Sequence, residues 1–559
     1  MLGRSLNLLV AGLVGLVTAL TNPIIPGFNP DPSILRVNDT YYIATSTFEY
    51  FPAVPIYKSQ NLVDWELVSH AFERPETLML YGVPTGAGVW APTLRYLHGR
   101  FYVIGMTRWV YDPINRLFPR MFYASSADLV TWSDLTWTEP WGIDPDLFVD
   151  PVTNKTYLTH QGINNNVDRI WGIYQLTIDL DTGASTSDVQ LIYNGTLPNN
   201  SSSRPEGPHL YYKDEYYYML TAEGGTDDAH RATIARSHTP SGPWEPAPKN
   251  PILFNGGYGY RYLTVQSTGH ADMVETPDGR WFMTFLARRN VNGSSPLGRE
   301  TFMTPMEWVD GWPVVQAPIS LTVDAPGLPD NSAPPDVFYD EFNATCLSND
   351  YYQLRTPYTA NYELTQGVGG LPPLRMLPNI YTLSNRDTPS ALLRKQKSLN
   401  MTFSAGLAVP RGGFETARQE VGLSVYLSEF QHQDVAVKNC KEGGLCVWTQ
   451  IIRNGTVNET WTPVGEEEEE GELVLWIRAE PLRYQFGWSV GGCEIEWVAE
   501  VESKWLAFAP TNYFVFTGAM WAVYATSNGF PWPVGAEEVG FNWVKEEYWG
   551  EELPEVDKW

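Results

Sequence analysis

The sequence predicts an all-β protein, a five-bladed β-propeller followed by a β-sandwich. Three observations lead there. Short runs rich in Tyr, Phe, Val, Ile, Thr and Trp are separated by Gly, Pro, Asn and Asp, and helical periodicity is scarce. One unit recurs five times within residues 22–320. Beyond a Pro-, Asn- and Asp-rich stretch the strand-like runs continue without that unit. Composition agrees. Of 559 residues, 43% are apolar, 14% aromatic and 18% charged, which excludes a disordered chain, a coiled coil and a collagen-like fibre. The net charge of −27 argues against nucleic acid and against an anionic membrane surface, because both need exposed Lys and Arg. A neutral substrate is compatible with it.

The elements follow in chain order. Residues 1–20 place one Arg before an apolar run from Leu6 to Leu20, with Val17 and Ala19 as small residues at a cleavage position; this reads as a secretory leader. The run is short for a membrane anchor, which needs about 20 apolar residues. Ten Asn-x-Ser/Thr sequons start at Asn38, Asn154, Asn194, Asn199, Asn200, Asn292, Asn343, Asn400, Asn454 and Asn458. Together with the leader they point to a secreted, extracellular glycoprotein.

Residues 21–325 carry the repeat. Its units begin DPSILRV at Asp31, APTLRYL at Ala91, DPDLFVD at Asp144, EGPHLYY at Glu206 and HADMVET at His270, each followed by a turn and an aromatic pair. A unit of 50–60 residues holding about four strands is a propeller blade, and each blade must pack against its neighbours to bury its faces. If the blades are equivalent, Asp31, Asp144, Glu206 and His270 converge near the axis. Residues 326–336 read as a linker. Residues 337–559 read as the sandwich. Its four cysteines, Cys346, Cys440, Cys446 and Cys493, allow three pairings; Cys440 and Cys446 flank a Gly-Gly loop and could join across it. The run Glu466–Glu470 reads as a solvated loop tip.

Convergent carboxylates suit glycosidic bond cleavage. One protonates the leaving oxygen, and another activates water or attacks carbon. Like charges raise the pKa of at least one of them, as a general acid requires. Each position also has a plain turn reading, since Asp-Pro and Glu-Gly-Pro open turns. Asp146 shares a strand face with Asp144, so repeat phase alone leaves that pair open. Gly86-x-Gly88-x-x-Ala91 runs into Pro92 and a strand, not a helix, and is not a dinucleotide site.

The segment 28–70 strongly resembles the opening of glycoside hydrolase family 43, in the β-xylosidase and α-L-arabinofuranosidase branch with a C-terminal sandwich. VWAP (89–92), GIDPDLF (142–148), PEGPHLYY (205–212), TAEGGT (221–226), GHADMVET (269–276), PLGRET (296–301), DGWPVV (310–315) and FTGA (516–519) extend the resemblance over nearly the whole chain. The resemblance implies Asp31 as general base, Glu206 as general acid and Asp144, rather than Asp146, as the group that tunes and orients the acid. It also implies His270, Arg299, Phe48 and Trp90 around the sugar, and Phe516 reaching over from the sandwich. Some members hold a divalent cation such as calcium near the histidine; no cofactor is otherwise implied. Thr93 departs from the family, which often has an acid after WAP, and the segment 107–122 has no clear counterpart. The expected activity is inverting, exo-acting β-1,4-xylosidase action on xylo-oligosaccharides. α-L-arabinofuranosidase action on arabinoxylan is the alternative, and a non-catalytic carbohydrate-binding protein a distant one.

Overall fold

The computed structural model describes residues 19–108, 119–163, 171–198, 204–258, 263–330, 337–410, 412–465, 471–491, 494–507 and 515–550. Most of the expected leader, the sequons Asn199 and Asn200, Cys493, the run Glu466–Glu470 and residues 109–118 lie outside them.

Five four-stranded antiparallel sheets are each built from one continuous stretch of chain. Their first strands, Ser33–Val37, Gly88–Leu97, Ile143–Val149, Glu206–Lys213 and Val265–Glu275, pack beside one another in a closed ring. They are the inner strands of a five-bladed propeller. Four residues set their geometry: Asp31-Pro32-Ser33-Ile34, Ala91-Pro92-Thr93-Leu94, Asp144-Pro145-Asp146-Leu147, Gly207-Pro208-His209-Leu210 and His270-Ala271-Asp272-Met273. The leading residue of each has positive φ (55°, 39°, 51°, 56° and 46°). The strand ladder shifts register there in the last four blades. A proline has no N–H to give the ladder, so it sits at such a bulge without loss. The fourth, apolar residue enters a different core cluster in every blade.

No strand is exchanged between the first and last blades. Side chains and a short clasp close the ring instead. Asp272 accepts hydrogen bonds from Ser33 Oγ (3.0 Å) and the Ile34 N–H (3.0 Å). Asn22 brackets Met303, donating to its carbonyl and accepting from its N–H, both at 2.9 Å. Ala19–Thr21 pairs with Thr322–Asp324, and Leu20 is wholly buried. Residues 19–21 are thus part of the ring closure.

The C-terminal region is a two-sheet antiparallel sandwich. One sheet orders its strands 391–395, 520–526, 420–428, 431–439, 445–453 and 456–463; the other is built around Gly540–Tyr548 and Met401–Ala408. One main core lies between the sheets. The six-stranded sheet also covers the propeller, where Tyr426, Trp448, Met520 and Tyr524 pack with Phe28, Phe48 and Tyr50. Gln353–Leu354 pairs directly with Tyr50–Phe51 across the seam. Cys440 and Cys446 form a disulfide, and Cys346 is free and exposed.

The sequons divide by environment. Asn400 is buried, 8% exposed, and cannot carry a glycan in this fold. Asn38, Asn154, Asn292 and Asn454 take φ between 49° and 58° in tight turns. Asn tolerates that region better than most residues. The turn explains these four asparagines whether or not they carry sugar.

Candidate active site

The inner-strand openings bring Asp31, Asp144 and His270 together, as repeat phase predicts. Glu206 needs a correction. Gly207, not Glu206, is the residue with positive φ in the fourth blade. Glu206 stands one position earlier, before the bulge, paired with Ala222. The unit therefore starts at Gly207, and the acid is not the repeat equivalent of Asp31. Glycine suits this position because a Cβ, besides the positive φ, would lie in tight contact with His270, 3.0 Å from Nε2.

Asp31 is gripped on both carboxylate oxygens. Arg299 Nη1 donates to Oδ1 at 3.0 Å, Ser46 Oγ donates to Oδ2 at 2.6 Å, and His270 Nδ1 stands 3.6 Å from Oδ1. Ser46 Oγ in turn accepts the Ala91 N–H at 2.6 Å. Burial alone would raise the Asp31 pKa. Arg299, His270, Ser46 and His230 more than offset it and hold Asp31 below the usual carboxylate value. Asp144 accepts the Gly207 N–H at 3.0 Å. Burial, then the charges of Glu206 and Asp31, push Asp144 well up. Burial also raises Glu206, with Asp31 adding to it and Arg204 and Arg299 opposing. Asp144 and Glu206 are thus both pushed toward the protonated form and titrate as a coupled pair. His270 is pulled down to about 4 by burial. The surroundings favour the ionised form on Asp31 and the protonated form on the other two carboxyls, the kind of division a general base and a general acid require.

Three rings form a wall beside the acids. Phe48 lies 5.8 Å from Trp90 and 6.0 Å from Phe516, and Trp90 lies 6.0 Å from Phe516. Arg299 links wall and acid. Its guanidinium lies 5.4 Å from the Phe48 ring centre and 5.6 Å from that of Phe516, and Nε and Nη2 both donate to the Phe516 carbonyl at 3.2 Å. This requires the propeller and sandwich backbones to touch. A Cβ on Gly518 would lie 2.2 Å from the Leu297 carbonyl, and one on Gly298 would lie 2.7 Å from the Gly518 Cα. The glycines of PLGRET and FTGA thus let Phe516 reach the pocket.

A second polar ring lies two residues along each inner strand. Arg95 Nε pairs with Asp146 Oδ1 at 2.9 Å, its Nη1 with Asp272 Oδ2 at 3.2 Å, and its Nη2 lies 2.9 Å from His209 Nδ1. Tyr211 OH donates to Asp272, and the Leu210 N–H donates to Asp146 at 3.1 Å. This bears on the expected cation near His270. Among the described residues no three His, Cys, Asp or Glu groups are placed to hold a metal. The carboxylates of this ring, Asp146 and Asp272, are paired with Arg95. The residues present do not fit a divalent cation there.

Sequence reasoning missed Ser46, Arg95, His230 and Arg288. His230 is buried beside the base segment with Nδ1 3.0 Å from the Ser267 carbonyl oxygen, and Arg288 donates to Ser267 Oγ at 2.9 Å. None lies in a repeat-opening position, and no local pattern marks them.

The chain resembles known proteins over most of its length. The sequence profile of glycosyl hydrolases family 43 matches residues 20–313. The chain belongs to this family. A profile of the β-xylosidase C-terminal concanavalin A-like domain matches residues 339–544. A non-reducing-end α-L-arabinofuranosidase of Bacteroides ovatus is 35% identical over 91% of this chain and 91% of its own. A β-xylosidase of Bacillus subtilis is 36% identical over 78% of this chain and 82% of its own. A xylosidase/arabinosidase of Humicola insolens is 32% identical over 86% of this chain and 88% of its own. Among solved structures, the Bacteroides ovatus xyloglucan-locus family 43 protein superposes with a TM-score of 0.83 at 32% identity, covering 95% of this chain and all of that one. The family 43 chain described here is a glycoside hydrolase with a propeller catalytic region and a concanavalin-like sandwich.

Proposed function

We propose that this enzyme removes terminal pentoses from the non-reducing ends of plant-type oligosaccharides by a single inverting displacement, with β-1,4-linked xylose as the first reading. The observation that carries the mechanism is the opposed surroundings of the two sides of the site: Arg299 and Ser46 hold both oxygens of Asp31, whereas Asp144 and Glu206 are buried as a carboxyl pair. Asp31, held ionised by Arg299 and Ser46, takes a proton from water as it attacks the anomeric carbon. Glu206, protonated within its pair with Asp144, gives its proton to the leaving oxygen. Asp144 orients Glu206 and keeps the proton on the pair. Phe48, Trp90 and Phe516 stack on the sugar face, and the sandwich contribution favours a chain end over mid-chain attack. The second reading is α-L-arabinofuranosidase action, favoured by the Bacteroides ovatus arabinofuranosidase, which matches along nearly its full length. Secretion is proposed from the leader and the exposed sequons.

The test is hydrolysis of paired aryl β-D-xylopyranoside and α-L-arabinofuranoside, with Asp31→Ala as the blank. Removing the base should lower turnover at least roughly 10³-fold on the preferred substrate. A xyloside preference supports the first reading, and an arabinoside preference moves the function to debranching. Turnover that survives in the Asp31→Ala variant would overturn the mechanism.

A further inference from the structure

The sandwich sends one charged side chain under the base. Lys395 ends the strand Ala391–Lys395 and is 5% exposed. Its Nζ donates to Asn29 Oδ1 at 2.7 Å and lies 5.4 Å and 5.1 Å from the ring centres of Phe28 and Tyr352. Phe28 in turn packs 5.9 Å from Phe48, so the ammonium caps the buried end of the pocket wall.

Asn29 is the junction of the supports around Asp31. Its Oδ1 receives two more donors, Tyr57 OH at 2.8 Å and Thr45 Oγ1 at 3.2 Å. Thr45 precedes Ser46, which holds Asp31 Oδ2. The Asn29 N–H donates to the Arg299 carbonyl at 2.9 Å, and Arg299 holds Asp31 Oδ1. The Asn29 carbonyl accepts Thr301 Oγ1 at 2.7 Å. The Asn29 Nδ2 donates to the carbonyls of Pro26 at 3.1 Å and Gly27 at 3.4 Å. One oxygen thus collects donors from the sandwich and from the segment that carries Ser46, two residues before Asp31. The approach is close: a Cβ on Gly27 would lie 2.6 Å from the Gln396 carbonyl.

We propose that Lys395, supplied by the sandwich, is a positioning residue for the carboxylate of Asp31. It does not touch substrate; it fixes Asn29, and through Asn29 the two groups that grip Asp31. The proposal deepens the reading above and rests on Asp31 acting there as base. Burial is the main influence on Lys395 and brings its pKa down to about 7; Asp350 opposes this and Lys397 adds to it. Beyond Tyr352, His70 Nε2 stands 3.1 Å from the phenol oxygen and is neutral, pulled to about 3 by burial and by Lys395 itself.

The experiment compares wild type, Lys395→Met, Asn29→Ala and the double variant. Each single change should lower kcat about tenfold with KM nearly unchanged, since loss of a fixed geometry costs rate more than binding. The acid limb of the kcat/KM profile should move to higher pH as Arg299 and Ser46 loosen their hold on Asp31. The double variant should be no worse than the poorer single one, because both changes break one contact. Amide hydrogen exchange in a peptide spanning residues 28–48 should quicken in Lys395→Met, and this needs no substrate. A lower unfolding temperature with unchanged kcat, acid limb and exchange would overturn the proposal, as would multiplicative losses in the double variant. If Lys395→Met does not fold, Asn29→Ala reads the same contact from the propeller side, and an unchanged acid limb and exchange there overturns it. Wild type that turns over neither pentoside would sink the substrate reading instead, leaving the exchange measurement to decide this one.

Discussion

Asp144 and Asp272 start from the same circumstances. Both lie on inner propeller strands, within the four-residue unit that sets the bulge, and both are buried. Burial pushes each toward the neutral form. For Asp144 the nearest charges are carboxylates, Glu206 and Asp31, so its pKa rises well above the normal value. For Asp272 burial is outweighed by His209, Arg95 and the Tyr211 hydroxyl, and its pKa falls to about 2. At Asp144 the upper ring is thus pushed toward the protonated form, while the ring two residues on is held in ion pairs with Arg95. Depth in the protein does not separate a reactive carboxyl from a structural one here. The neighbouring cation does.

The comparison breaks most directly at Arg95. Arg95→Ala leaves Asp146 and Asp272 buried without their cation, which should cost roughly 3–5 kcal/mol of stability. Chemical denaturation reads this as a lower midpoint. An unchanged midpoint would mean that the lower ring is not held by charge. Glu49 sharpens the comparison as a third buried acid. It accepts the Gly86 N–H at 3.0 Å, and burial raises it from 4.5 to about 8, against the opposing hydrogen bonds and Arg355. Its folded-state pKa lies above the unfolded one, so its stabilising preference for the proton is complete below about 4.5 and is lost as pH rises through about 8. Glu49→Gln should therefore match wild type near pH 4 and be the more stable above pH 8, by up to roughly 5 kcal/mol. Equal unfolding midpoints on the alkaline side would refute this. The smallest effect is expected at Asp144. Asp144→Asn removes the like charge beside Glu206, so Glu206 should lose its proton sooner. The alkaline limb of kcat/KM should move down by roughly one pH unit. A limb that stays in place would assign it to another group.

Much of this was legible in the chain. Five Pro- or Ala-bearing units gave the blades, because a bulged inner strand favours a residue there that makes no demand on the ladder. Asp31 and His270 follow from phase, while Asp144 is separated from Asp146 only by the family resemblance. Phase places Glu206 one position off, because the glycine that takes the positive φ follows the acid rather than replacing it. Ser46, Arg95 and Lys395 were not legible. Their partners lie 15, 177 and 366 residues away, and no periodicity records which blade or sheet they will face. The pairing of Asp146 and Asp272 with Arg95 was hidden for the same reason: no local pattern shows which strand will bring the arginine to them.

The ring seam has a consequence for synthesis. Because no strand is traded between the ends, the first four blades can emerge from the ribosome as consecutive modules, and only the last one makes a circle. Asp31 is made among the first, whereas Arg299 comes with the final blade and Phe516 only with the sandwich. The groups that grip Asp31 and line the pocket are therefore complete only once the chain has been made past residue 516, so the sandwich is the part that finishes the site.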